Sequence, residues 1–188
     1  MIWTVPNLLT VLRLAAAPGM AICFIGLPAP TSFLLAFVLF VLASATDWVD
    51  GYLARAWNQQ SALGEMLDPI ADKAIVLITL TSIVGAMGNS VLLLVPAAVI
   101  IFREVLVSGL REYVAGRKLQ LKVTRLAKYK TATQMVAIGG LMFSRVPSSA
   151  FVSDLLFAVS LGFLWAAAAL TLVTGWDYFR KSAQTLLT

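Results

Sequence analysis

Six stretches of about 20 predominantly apolar residues, each long enough to cross a bilayer as a helix, follow one another along this chain. They cover 8–27, 32–56, 62–86, 91–115, 126–146 and 153–176, with only short polar punctuation between them. The chain is 60% hydrophobic and 12% charged, about half the charge that a soluble domain carries. The expected fold is all-α: a polytopic bundle of six transmembrane helices behind a short N-terminal interfacial segment. Residues 1–188 are expected to form a single membrane-embedded domain, since no soluble domain, repeat or low-complexity segment interrupts them. Residues 1–6, MIWTVP, lack the positive stretch and cleavage site of a secretory signal, so the N-terminus is expected to be retained; Pro6 and Asn7 suggest a helix start.

The distribution of Lys and Arg sets the expected orientation. The loops near 27–32 and 86–91 carry none, whereas 111–130, REYVAGRKLQLKVTRLAKYK, is dense in them, and Arg180 and Lys181 stand near the end of the chain. Both termini are therefore expected on the cytoplasmic side, with Arg145 on the outer one. The formal net charge of +5 gathers on the face that meets anionic headgroups or phosphorylated solutes. One cysteine, Cys23, in an apolar run leaves no disulfide framework or thiolate metal site, and the absence of histidine removes imidazole chemistry. Any acid–base or metal chemistry must use carboxylates.

Four aspartates fall within the stretch TDWVDGYLARAWNQQSALGEMLDPIADK, residues 46–73. On a helix Asp47 and Asp50 share a face, with Gly51 and Ala54 beside them. Gly64, Asp68 and Asp72, four residues apart, share a face of the next helix. Two helices joined by a short turn pack antiparallel, so the acidic faces can meet. Uncompensated carboxylates in a low-dielectric bundle repel each other and are costly to bury. Arg55 and Lys73 supply some positive charge, but an aspartate-only cluster suits hard divalent cations better, Mg²⁺ or Mn²⁺, one or two ions. The bland alternative is a set of buried ion pairs or a solvated cavity. A divalent-cation carrier would use the same acids, but it needs polar groups in both leaflets, and the outer halves of the first, second and fourth runs hold no ionisable residue. Asp47 lies about 15 Å along its helix from the end near Trp57, a depth that a lipid's phosphate can reach without leaving the membrane.

These residues reproduce the pattern D-x2-D-G-x2-A-R-x8-G-x3-D-x3-D, and in it the chain resembles the CDP-alcohol phosphotransferases. The resemblance implies a homodimeric membrane enzyme of six transmembrane helices that moves a phosphoalcohol from a CDP-linked donor to an acceptor hydroxyl and releases CMP. It implies Asp47, Asp50, Asp68 and Asp72 as metal ligands, Asp72 also as general base, and Gly51, Ala54, Arg55 and Gly64 along the nucleotide. The small residues would let a diphosphate approach the backbone, and Arg55 is suited to fork onto phosphate oxygens.

Beyond the aspartates, VPNLLTVLR (5–13), FREVLVSGLREYVAG (102–116) and LAKYKTATQMVAI (126–138) look like the bacterial phosphatidylglycerophosphate synthases of that family. This implies CDP-diacylglycerol as donor and sn-glycerol 3-phosphate as acceptor, in a bacterial cytoplasmic membrane with the active site facing the cytoplasm and no nucleic-acid partner. Inositol phosphate or serine is the nearest rival acceptor. A phosphorylated acceptor needs cations of its own: Arg103, Arg111 and Lys128 are the expected phosphate clamp, with Glu104 orienting it, while Lys130 leads into the same helix. Arg117, Lys118, Lys122 and Arg125 are read as topology signals. Asn7, Thr10 and Arg13 recur every third residue; they could face the nucleotide, or serve as helix cap and headgroup contact.

Overall fold

The apolar runs become six helices, and the described residues hold no strand: α1 (Val5–Gly26), α2 (Thr31–Ala56), α3 (Ala62–Ala86), α4 (Val91–Gly116), α5 (Arg125–Phe143) and α6 (Ala150–Leu187). The computed structural model describes residues 4–57, 61–116, 125–147 and 149–187, with the side chains at 48, 50–55, 115–116, 125, 127 and 181–187 outside the description. The expected interfacial segment before residue 4 also lies outside the described residues. Two helix starts are written in hydroxyl caps. The Thr4 side chain accepts from the Asn7 N–H at 3.4 Å, with a proline in the first turn of α1, and the Ser61 side chain accepts from the Gly64 N–H at 3.0 Å to open α3.

Four helical segments, Val5–Gly26, Ala62–Ala86, Val91–Val114 and Ala150–Arg180, are long and apolar enough to cross a membrane, and Thr31–Asp47 adds a shorter apolar one. The largest boundary difference is α6, which continues past Trp176 to Leu187. The apolar run stops where the hydrocarbon ends, but the sequence that follows has no Gly or Pro and goes on as helix.

Cross-helix contacts give the relative directions. Asn7 meets Ser61, Thr10 meets Asp68, Arg13 meets Asp72 and Met20 meets Thr79, so α1 and α3 run parallel. Leu92 meets Trp165, Arg103 meets Thr174 and Arg111 meets Tyr178, so α4 and α6 also run parallel. Phe24 packs on Phe33 while Arg13 reaches Asp47, making α1 and α2 antiparallel. Gly140 faces Ser160 while Ser144 faces Ser153, making α5 and α6 antiparallel. α5 leans on α2 and α3, which joins the α1–α3 group to the α4–α6 group.

The core between the helices is apolar: Ala17, Met20, Phe40, Ile83, Ile100, Leu141 and Leu164 are all buried. Ile25, Phe102, Phe151 and Trp176 point outward, a distribution suited to lipid around the bundle. At Gly140 a Cβ would stand 2.3 Å from the Ser160 hydroxyl, so the missing side chain is what lets α5 and α6 close on each other. Phe37 packs on Phe143 and Gly139 faces Phe40, making α2 and α5 antiparallel too, so Asn7–Arg13, Asp47, Asp68–Asp72, Arg103–Arg111, Lys130 and Thr174–Tyr178 fall at one end of the bundle.

Candidate active site

The acidic site is assembled on α1. Asn7, Thr10 and Arg13 stand on the same stripe as the core residues Ala17 and Met20, and all three are buried, Arg13 to 1% exposure. A guanidinium is expensive to take out of water unless it is paired, and this one is paired twice. Its Nη1 donates to Asp47 Oδ1 on α2 and, at 2.9 Å, to Asp72 Oδ1 on α3. Carboxylates from two helices therefore face one another across a single nitrogen. Each keeps about half its surface accessible, 52% for Asp47 and 56% for Asp72, so the side away from α1 stays open to a ligand.

Asp68 is held one turn away. The Thr10 hydroxyl lies 2.9 Å from Asp68 Oδ1 and 3.1 Å from the Pro6 carbonyl, and its one proton is shared between them. Ser61 then donates to Asn7 Oδ1 at 2.7 Å while capping α3 through the Gly64 N–H. Gly64 sits in this junction without room for a side chain: a Cβ would come within 2.8 Å of Asn7 Oδ1 and 3.3 Å of Ser61 Oγ. So α1 supplies a partner to Asp47, Asp68, Asp72 and the start of α3. Among the described residues no three carboxylates form a ready-made cage, because Asp47 and Asp72 meet through Arg13 and Asp68 is turned to Thr10. Asp50, Gly51, Ala54 and Arg55 lie on the last turns of α2, and their side chains are outside the described residues.

A second cluster lies between α4, α5 and α6. Arg103 is buried, its Nη2 donating to the Thr174 hydroxyl at 3.1 Å and its Nη1 standing 3.7 Å from Glu104 Oε1. Lys130, 4% exposed, donates to the same Glu104 oxygen. Arg111 donates to the Tyr178 hydroxyl at 3.1 Å. The buried Tyr178 ring also lies under both guanidinium groups, 5.8 Å from Arg103 and 5.2 Å from Arg111. Among the described contacts of this cluster, three cations meet one carboxylate, two positive charges in excess. The structure brings Arg103 and Arg111 together on Tyr178, Arg111 from an exposed position; Lys128 is exposed too, and the lysine that reaches the cluster is its neighbour Lys130. Arg117, Lys118 and Lys122 lie outside the described residues, as does the side chain of Arg125.

Tyr178 and Thr174 do not figure in the sequence reading at all. A signal for them exists: Thr171, Thr174 and Tyr178 put polar groups at helical spacing inside an apolar run, as Lys130 and Gln134 do on α5. Buried polar side chains on one stripe are a costly choice unless they meet partners.

An acid site and a basic site at one end of a membrane bundle suit a charged, diphosphate-bearing lipid and an anionic co-substrate. A profile of the CDP-alcohol phosphatidyltransferase family matches residues 3–173. A Cereibacter sphaeroides protein named CDP-diacylglycerol–glycerol-3-phosphate 3-phosphatidyltransferase is 45% identical, with 96% of each chain covered. Proteins of the same name from Rickettsia bellii and Haemophilus influenzae are 42% and 34% identical, covering 93% and 98% of this chain and 93% and 96% of their own. With the aspartate pattern, the helical bundle and these likenesses together, the chain belongs to the CDP-alcohol phosphatidyltransferase family.

Proposed function

We propose that this protein transfers the phosphatidyl group of CDP-diacylglycerol to sn-glycerol 3-phosphate, giving phosphatidylglycerophosphate and CMP, as a single catalytic domain in a bacterial cytoplasmic membrane. The name borne by relatives aligned over nearly their whole length supports the donor and the acceptor. The observation that carries the acceptor is the α4–α6 cluster, with Arg103 and Lys130 buried and Arg111 at its exposed edge: its two excess positive charges match a phosphate monoester, which carries about −1.5 to −2 at neutral pH. Arg103, Arg111 and Lys130 hold that phosphate, Glu104 aligns Arg103 and Lys130, and Tyr178 aligns Arg111. Serine would leave the same charges unmatched.

The oxygen-only donor set of the acidic site, open on one side, fits a hard divalent cation. Asp47, Asp50, Asp68 and Asp72 would hold Mg²⁺ or Mn²⁺, one or two ions. When bound, the ion neutralises diphosphate charge and favours departure of CMP as a Lewis acid. Gly64, whose missing side chain lets Asn7 close on the start of α3, keeps that junction compact beside the nucleotide, and Gly51, Ala54 and Arg55 border it on α2. Asp72 takes the proton of the attacking hydroxyl, the role left to a carboxylate in a chain without histidine. The hydroxyl oxygen then bonds to the lipid-bearing phosphorus as the bond to the bridging oxygen breaks, and CMP leaves with that oxygen. The basic stretches support a cytoplasmic side for both termini and this chemistry, and the family resemblance supports a homodimer surrounded by lipid.

Purified protein supplied with CDP-diacylglycerol, Mg²⁺ and, side by side, glycerol 3-phosphate, serine or inositol 1-phosphate tests the reading. CMP release should depend on glycerol 3-phosphate. Turnover with serine or inositol phosphate and indifference to glycerol 3-phosphate would overturn the acceptor; cation uptake into vesicles without CMP release would overturn the reaction.

A further inference from the structure

The acidic site contains a cation of its own. We propose that Arg13 is a positioning residue, a resident counter-cation that holds Asp47 and Asp72 face to face before a divalent ion binds and then competes with that ion for their oxygens. The proposal rests on the reading that these acids hold a divalent cation. Arg13 Nη1 is shared by the two carboxylates, one from α2 and one from α3, and the residue is 1% exposed. Without it the two acids would confront each other with like charge in a region of low dielectric. The planar, permanently charged guanidinium cannot relieve its own burial by losing a proton, as a lysine can. Its backbone is fixed from both sides, by Thr10 on Asp68 and by Met20 beneath Thr79, so the charge is delivered to one place.

Competition gives this role a signature that a merely structural contact lacks. A bound divalent ion must take over oxygen charge that Arg13 already compensates, so part of its binding energy is spent displacing the guanidinium's share. Removing Arg13 should therefore weaken the metal-free protein and strengthen its response to metal.

The test is thermal unfolding of detergent-solubilised protein, in EDTA and across a Mg²⁺ titration, for wild type, Arg13→Met and the milder Arg13→Lys. In EDTA, Arg13→Met should unfold at least about 5 °C below wild type. Its Mg²⁺-induced rise should exceed that of wild type, with a half-saturating Mg²⁺ concentration at least about threefold lower. Arg13→Lys should fall between the two. An equal or smaller rise in both variants overturns the competition. If Mg²⁺ shifts none of the proteins, the metal reading fails instead, and a cycle with Asp72→Asn in EDTA decides the counter-cation role. The Arg13→Met or Arg13→Lys loss should shrink by at least about half in the Asp72→Asn background, whereas additive losses overturn it.

Discussion

Replacing Lys130 with methionine keeps the length of the stem and removes one charge from the α4–α6 cluster. Lys130 is 4% exposed and bonded to Glu104, so the charge is desolvated and fixed. Truncating one member of a buried, hydrogen-bonded charge contact costs about 2–5 kcal/mol, and with Arg103 and Arg111 still in place the lower end applies. About 2 kcal/mol is roughly a 30-fold loss in kcat/KM for glycerol 3-phosphate. The protein should still fold, because Arg103 Nη1 stands 3.7 Å from the same Glu104 oxygen and can close on it. That rescue diverts Arg103 from the acceptor and adds to the loss. Lys128→Met is the matched control: an exposed charge on the same helix contributes up to about 1 kcal/mol, less than about fivefold. The assay is initial-rate CMP release in mixed micelles, varying glycerol 3-phosphate at saturating CDP-diacylglycerol, with unfolding temperature measured beside it. If Lys130→Met changes kcat/KM for glycerol 3-phosphate by less than about threefold, or Lys128→Met changes it as much, burial does not decide between the two lysines and the reasoning fails.

Asp72→Asn keeps an oxygen and a nitrogen where the carboxylate stood and removes the proton acceptor, so kcat should fall about 10²-fold or more while the KM for CDP-diacylglycerol stays within a few-fold; steady-state kinetics with each substrate varied will show whether it does. Gly64→Ala forces a Cβ within 2.8 Å of Asn7 Oδ1 and 3.3 Å of Ser61 Oγ. Overpacking of this kind costs about 1–3 kcal/mol, a fall of about 2–10 °C in unfolding temperature by thermal scanning. EDTA should abolish CMP release, and Mg²⁺ or Mn²⁺ should restore it where Ca²⁺, with its longer bonds and looser geometry, restores less.

What the residues alone disclose follows from what each signal measures. Long apolar runs report burial in hydrocarbon, so α2, α3 and α4 agree with the sequence boundaries to within a residue, whereas α6 runs on as helix to Leu187 after its hydropathy fades. The aspartates are visible because they are costly where they stand and because their spacing is fixed by one turn and two helix faces. Lys128 and Lys130 cannot be told apart in that way. Two residues along a helix is about 200° around it, so one points inward and the other outward. Which is which depends on how α5 rolls against α6, and that is settled by packing such as Gly140 on Ser160. Arg103–Thr174 and Arg111–Tyr178 pair residues 71 and 67 positions apart, a proximity that no local pattern encodes. The α1 stripe is intermediate: its period of three is in the sequence, but that it turns inward onto Asp47, Asp68 and Asp72 is a fact of tertiary packing.

The two clusters share a design that explains how such charge can be built into a bilayer. The acidic site carries one buried arginine among its aspartates, and the basic site carries one glutamate among its cations. Fully unpaired charge would oppose folding, because hydrocarbon offers it neither water nor counter-ions. Fully paired charge would leave nothing for a ligand to satisfy, and binding would then have to break existing ion pairs at a desolvation cost it could not recover. Partial compensation avoids both limits. The residual negative charge on the α1–α3 side calls for a cation, and the residual positive charge on the α4–α6 side calls for an anion. α5, which leans on α2 and α3 while packing against α6, joins the two sides. A diphosphate held on the acidic side and a phosphate held on the basic side then meet at the same end of the bundle, with an attacking hydroxyl on the acceptor between them. On this account the acceptor's phosphate is more than a handle. It completes the charge of the half of the site that folding left incomplete, so an acceptor without it should bind poorly even though its reacting hydroxyl is unchanged.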